Sequence, residues 1–112
     1  MESGTLVLVH LVSPKEKYWG VLQRLEPAGL TIRGIAVELF DDWARQHRTA
    51  GDAELGIVRM FVPLHRIEKV FEDARVGSVA SYAERFFDLV GRDVREFVGD
   101  AAPAGEGSST PN

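Results

Sequence analysis

The stretch Tyr18-Trp-Gly-Val-Leu-Gln-Arg-Leu-Glu-Pro-Ala-Gly-Leu-Thr-Ile-Arg-Gly-Ile35 decides how the rest of the chain is assembled. Two runs rich in aromatic and β-branched residues, Tyr18 to Leu25 and Leu30 to Ile35, flank Glu26-Pro27-Ala28-Gly29. That tetrapeptide carries turn chemistry, with proline early and glycine where φ is free to become positive. The stretch therefore reads as a β-hairpin. Pairing Leu25 with Leu30 and continuing outward puts Trp19, Val21, Gln23, Leu25, Leu30 and Ile32 on one face, the expected core face. Tyr18, Leu22, Arg24, Thr31, Arg33 and Ile35 fall on the other. Gly20 and Gly34 interrupt the strands, where glycine marks a sharp bend, a bulge or a close backbone approach. Strongly bent strands are what small barrels are built from.

Upstream, Thr5-Leu-Val-Leu-Val-His-Leu-Val12 is a strand whose two alternating sets are both largely apolar, ended by Ser13-Pro14. A strand able to bury both faces either sits inside the domain or has its second face covered by a helix or another subunit. Downstream the period changes. Val37, Phe40, Trp43 and Ala44 recur at helical spacing, which predicts a short helix from about Glu38 to Gln46, with Asp41 and Asp42 early and Arg45, His47 and Arg48 late, as the helix dipole favours. Thr49 to Asp52 is a loop. Leu55 to Val62 and Ile67 to Phe71 read as two more strands, hinged by the tight turn Pro63-Leu-His-Arg66.

Ser81 and Glu84 have the spacing of a capping box, so a final helix starts there, or one turn earlier at Ser78. Val79, Tyr82, Ala83, Phe86, Phe87, Val90, Val94, Phe97 and Val98 form an apolar stripe that should be docked. Gly91 is placed to end the helix, leaving Val94 to Val98 as a second turn or an extended arm. Residues 99 to 112 lack core-forming side chains and are expected to be a disordered tail.

Composition narrows the function classes. A chain of 112 residues with 45% hydrophobic content suits one domain, here residues 1–98. No apolar run approaches the roughly 20 residues of a membrane-spanning helix. The N-terminus opens directly into a strand pattern, so a soluble cytoplasmic protein without membrane association is expected. The absence of cysteine excludes disulfides, thiolate metal sites and a cysteine nucleophile. A net charge of −4 gives no global basic signature of nucleic-acid binding.

The order strand, strand, strand, insertion, strand, tight turn, strand resembles the Sm-like fold that includes Hfq. The residues carrying the likeness are LVLVHLV (6 to 12), YWGVLQRLEPAGLTIRGI (18 to 35) and FVPLHRIEKV (61 to 70). Together these are also similar to a family of uncharacterised bacterial proteins, with a strand ending near Ser-Pro-Lys-Glu-Lys before Tyr-Trp-Gly and a later Pro-Leu-His-Arg-Ile-Glu segment. The resemblance implies an α+β fold, mainly β. It would be a small, strongly bent five-stranded antiparallel Sm-like barrel, with a short helix inserted after the third strand and an amphipathic C-terminal helix. It also implies homo-oligomers, since Sm-like proteins usually form rings by pairing edge strands. Sm proteins have a helix before the first strand, and an Asp and an Asn in the loop that binds uridine. This chain has its long helix last and Glu26-Pro27-Ala28-Gly29 in that loop, so no RNA-binding residue carries over.

Catalytic constellations are not apparent. Ser13, Ser78 and Ser81 sit in turn or cap contexts without a nucleophile elbow. Asp41 and Asp42, as helix neighbours, point about 100° apart. No His-x-x-x-His or Glu-x-x-His pair offers a metal site, and no cofactor is implied. His10 reads as a partly buried strand histidine and His47 as a dipole-compatible helix end. His65 beside Arg66 is the polar site on which a small hydrolase or metal-dependent enzyme would centre. Lys15, Lys17, Tyr18, Arg24 and Arg33 form the basic and aromatic set able to grip single-stranded RNA. The leading reading is a non-enzymatic binding or assembly module that self-associates, because its apolar faces exceed what a small barrel covers alone. The rival reading is an RNA-binding Sm/Hfq-like protein. The sequence names no protein partner.

Overall fold

A computed structural model describes residues 1–49 and 55–98 of the chain. Five strands form one antiparallel sheet: β1 (Leu6–Leu11), β2 (Glu16–Glu26), β3 (Gly29–Ala36), β4 (Val58–Pro63) and β5 (Ile67–Glu72). Their order is β4-β3-β2-β1-β5. A 3-10 turn, Val37–Leu39, leads into α1 (Phe40–Gln46), and another, Leu64–Arg66, joins β4 to β5. Helices α2 (Tyr82–Val90) and α3 (Arg95–Val98) follow. The expected α+β class, the hairpin and the helix inserted after the third strand are all present. The loop expected at Thr49 to Asp52 lies, beyond Thr49, outside the described residues, as does the tail from 99 to 112.

The hairpin differs from its expected register by one residue. The ladder pairs Leu25 with Leu30 and Arg24 with Thr31, then shifts, so that Leu22 faces Ile32 and Trp19 faces Ile35. Gln23 is thus a bulge, two residues of β2 standing opposite one of β3. Because strand side chains alternate, this single insertion moves Trp19 and Val21 to the face opposite Leu30 and Ile32. The expected single core face of the hairpin is therefore split between two cores, and Leu25 is exposed. The shift also brings Gly20 directly opposite Gly34. A Cβ on either would overlap the other strand's backbone, the close approach expected of strand glycines.

β4 and β5 are the two outer strands, yet only three residues separate them in sequence. Five strands laid flat would set them about 19 Å apart at roughly 4.8 Å per gap, and three 3-10 residues rise only about 6 Å. The sheet must therefore bend round toward the corner. Burial says the same: Val7, Val9, Leu11, Leu22, Leu30, Ile32 and Val62 make a buried cluster drawn from strands alone. The bend does not close. β4 pairs with β3 and β5 with β1, and the two are not paired with each other, so the expected closed barrel is an open curled sheet. The corner is pinned on both sides and does not act as a hairpin. Leu64 N–H donates to the Ala28 carbonyl at 2.9 Å, and Val12 N–H to the Arg66 carbonyl at 2.9 Å. The strands leave it along different neighbours.

The other face of the sheet carries the helices. Leu6, Leu8, Trp19, Val21 and Ile35 meet Phe40, Trp43 and Ala44 of α1, Phe86 of α2, and Val94 and Val98 near α3. Burial of each large side chain contributes about 1.5 to 3 kcal/mol. Helix α2 begins as expected, with Ser81 accepting from Glu84 N–H at 3.0 Å and Ser81 N–H donating to the Glu84 carboxylate at 2.8 Å. It ends at Gly91, whose φ of 82° is the left-handed conformation of a helix stop. Ser78 instead lies within the small turn bridged by Val76 and Val79. The apolar stripe is docked except at Val79 and Phe87, which are 67% and 58% exposed.

Candidate functional site: two sheet edges

A sheet that stays open leaves two strands with one unpaired side each. On β4, Val58 and Phe61 are 54% and 51% exposed, and Leu64 is exposed at the corner that follows. Phe61 lies opposite Thr31, and Arg59 opposite Arg33. Arg33 donates from its guanidinium to the Val98 carbonyl of α3, so this row belongs to the helix-bearing face. On β5, exposed Phe71 stacks edge-on against His10, ring centres 5.0 Å apart.

The residues expected to share a basic face are distributed. Lys15 and Lys17 lie near the start of β2, and Arg24 lies seven residues beyond Lys17, about 23 Å along an extended strand. Arg24 is exposed and 3.7 Å from Glu26. Tyr18 packs on the strand-only core, on the opposite face from Lys17, where burial and then Glu16 and Glu38 push its hydroxyl pKa above the ordinary value. Arg33 does stand opposite Arg59, and on the same face Arg24 stands opposite Thr31, which stands opposite Phe61. Arg59 was not among the expected residues because only the β3–β4 register brings it there.

His65 and Arg66 do not converge on one polar site. Arg66 turns inward, donating to the carbonyls of Val12 at 2.7 Å and Pro14 at 2.9 Å and to the Glu16 carboxylate at 3.1 Å. It staples the corner to the β1–β2 connection. His65 is exposed. His47 caps α1 through its backbone, its N–H bonding the Ala44 carbonyl at 3.0 Å. Its ring, however, lies among Trp43, Phe86 and Phe97, the last with centroids 4.3 Å apart. Burial first, and the Arg92 charge second, hold the His47 pKa below its ordinary value. His10 is half-buried, and its pKa is lowered by burial, then by Lys17 and Lys69, with Glu68 opposing.

One polar residue missed in the sequence organises the helix side. Asp73, just after β5, accepts from the Trp19 indole at 3.1 Å, from Tyr82 N–H at 2.7 Å and from Ala83 N–H at 2.9 Å. A carboxylate at a helix start satisfies orphan amides and suits the dipole. Its partner Trp19 is 54 residues away, so no local pattern announces it. Among the described residues no three of His, Asp and Glu gather in a metal-binding group. No described helix is long and apolar enough to cross a membrane. Comparison with models of protein families, with curated proteins and with solved structures finds no match.

Proposed function

We propose that this chain is a non-enzymatic binding and assembly module, and that copies of it associate by adding β4 of one to β5 of the next. The observation that carries this reading is the pair of unpaired outer strands on one strongly bent sheet, with Val58 and Phe61 exposed along β4 and Phe71 along β5. Bare edges of this kind template strand pairing. The contact is head-to-tail, so it closes into a ring when the rotation per subunit permits. The strand order and the 3-10 corner between the outer strands suit an open, curled Sm-like sheet, which the resemblance in LVLVHLV, YWGVLQRLEPAGLTIRGI and FVPLHRIEKV also favours. Mass photometry or sedimentation at micromolar concentration should give a defined oligomer that Phe61→Lys converts to monomer. A native chain that stays monomeric there would remove the proposal.

A second reading, binding of single-stranded RNA, is favoured by the exposed Arg24, Arg59 and Phe61 beside Arg33 on one sheet face. Basic groups interleaved with an aromatic ring suit a phosphate backbone and a stacked base. Binding to an RNA oligonucleotide should then weaken as salt rises and be lost in Arg24→Glu/Arg59→Glu. No binding at low salt would dispose of it.

A further inference from the structure

The chain has only three lysines, Lys15, Lys17 and Lys69, and all three line one cleft. The register explains their convergence. His10 of β1 stands opposite Lys17 of β2 on one side and Lys69 of β5 on the other, giving a cross-strand row Lys17-His10-Lys69. Lys15 adds to it from the β1–β2 connection. Every ion pair among the described residues uses an arginine as its cation, and none uses a lysine. Three ammonium groups are thus gathered without being neutralised by a direct pair. Lys17 and Lys69 flank β1 two strand gaps, about 10 Å, apart, and with Lys15 they make the cleft locally basic, which suits an anion.

The carboxylates of the cleft define what kind. Glu16, Glu38 and Glu68 also line it, but Glu16 is engaged by Arg66 at 3.1 Å. Two carboxylates then face three ammonium groups, leaving one positive charge in excess, and two once His10 takes a proton. That balance matches a dianion, and lysine ammonium groups suit compact phosphate oxygens. Glu38 and Glu68 are acceptors only, suited to hydroxyl groups on the same ligand.

We propose that this cleft binds a small phosphate monoester bearing hydroxyl groups, a sugar phosphate, with Lys15, Lys17, Lys69 and His10 on the phosphate and Glu38 and Glu68 on the hydroxyls. The site is built within one chain, beside the β5 edge offered for assembly, and does not draw on the RNA reading. The groups facing His10 are Lys17 from β2, Lys69, Glu68 and Phe71 from β5. In the free protein burial and the two lysines disfavour its protonation. A bound dianion reverses the sign of the local field, so His10 gains its proton as the ligand enters.

The test is an NMR titration of the His10 imidazole with ribose 5-phosphate, inorganic phosphate and ribose. Saturable shifts are expected with the two phosphates and not with ribose, and the His10 pKa should rise at saturation. Lys17→Gln/Lys69→Gln should weaken both phosphates by about tenfold or more, equivalent to about 1.4 kcal/mol. Glu38→Gln/Glu68→Gln should weaken ribose 5-phosphate and spare or strengthen inorganic phosphate. All four positions are on the surface, and circular dichroism is the check that the variants fold. No saturable shift at millimolar ligand overturns the proposal. So does an equal loss in Arg24→Gln/Arg59→Gln, or a response only to oligonucleotide.

Discussion

On the helix side of the sheet, Trp19, Phe40, Trp43 and Phe86 touch ring to ring, Trp19 and Phe40 at 5.1 Å and Trp43 and Phe86 at 5.4 Å between centroids. On the other side, Val7, Val9, Leu11, Leu22, Leu30, Ile32 and Val62 are buried with no described helix against them. One face is sealed by separate elements carrying large rings, the other by the sheet bending over its own aliphatic side chains. Loss of a ring leaves a large hole between elements, whereas loss of an aliphatic side chain acts on the curvature itself. The two faces should therefore fail differently.

The sharpest way to break this contrast is to truncate one member of each core. Phe40→Ala should cost about 3 to 5 kcal/mol in urea denaturation. Leu30→Ala should cost about 2 to 5 kcal/mol, and should also disturb the β3–β4 amides while sparing α2 in hydrogen exchange. If the α2 amides respond equally to both, the cores are not separable. A smaller effect is expected at the tie between sheet and helices. Asp73→Ala strands an indole and two helix amides, at about 1 to 3 kcal/mol, and should move the Trp19 indole resonance. Ser81→Ala, which removes only a cap, should cost about 1 kcal/mol.

The finest test is pH, because His47 lies within the ring cluster and has no counterpart in the aliphatic core. Its folded pKa is lowered, so above about pH 6.5 the imidazole is neutral in folded and unfolded chains and its contribution to stability is complete. As pH falls below that, the unfolded chain takes up the proton first and stability declines until the folded ring also protonates. His10, also lowered, adds to the slope. His47→Phe should flatten part of the decline measured between about pH 7 and 5. An unchanged slope would mean that the ring cluster tolerates the charge.

Features set by neighbouring residues were legible in the sequence: the Ser81 and Glu84 capping box, the stop at Gly91, the Pro27-to-Gly29 turn, and a first strand buried on both faces. Features set by distant partners were not. Leu55 to Ile57 look like strand, but the Gln46 side chain occupies the Leu55 backbone, accepting from its N–H at 2.7 Å and donating to its carbonyl at 2.9 Å, and β4 begins at Val58. Phe87 has helical spacing with the stripe, but it projects to solvent beside Glu84 and Asp88. Arg33 looked like an exposed basic residue until α3 supplied its carbonyl partner. The cleft was half visible, through Lys15 and Lys17, but Lys69 joins them only through the β1–β5 register.

The bulge at Gln23 makes chain length matter more than residue identity at that place. A different side chain there leaves the offset intact, so Trp19 still meets the helices while Leu30 still fills the bend. Deleting the residue would restore uninterrupted alternation and swing the indole toward the aliphatic interior, away from Asp73. At this position the chain is free to vary its spelling but not its count.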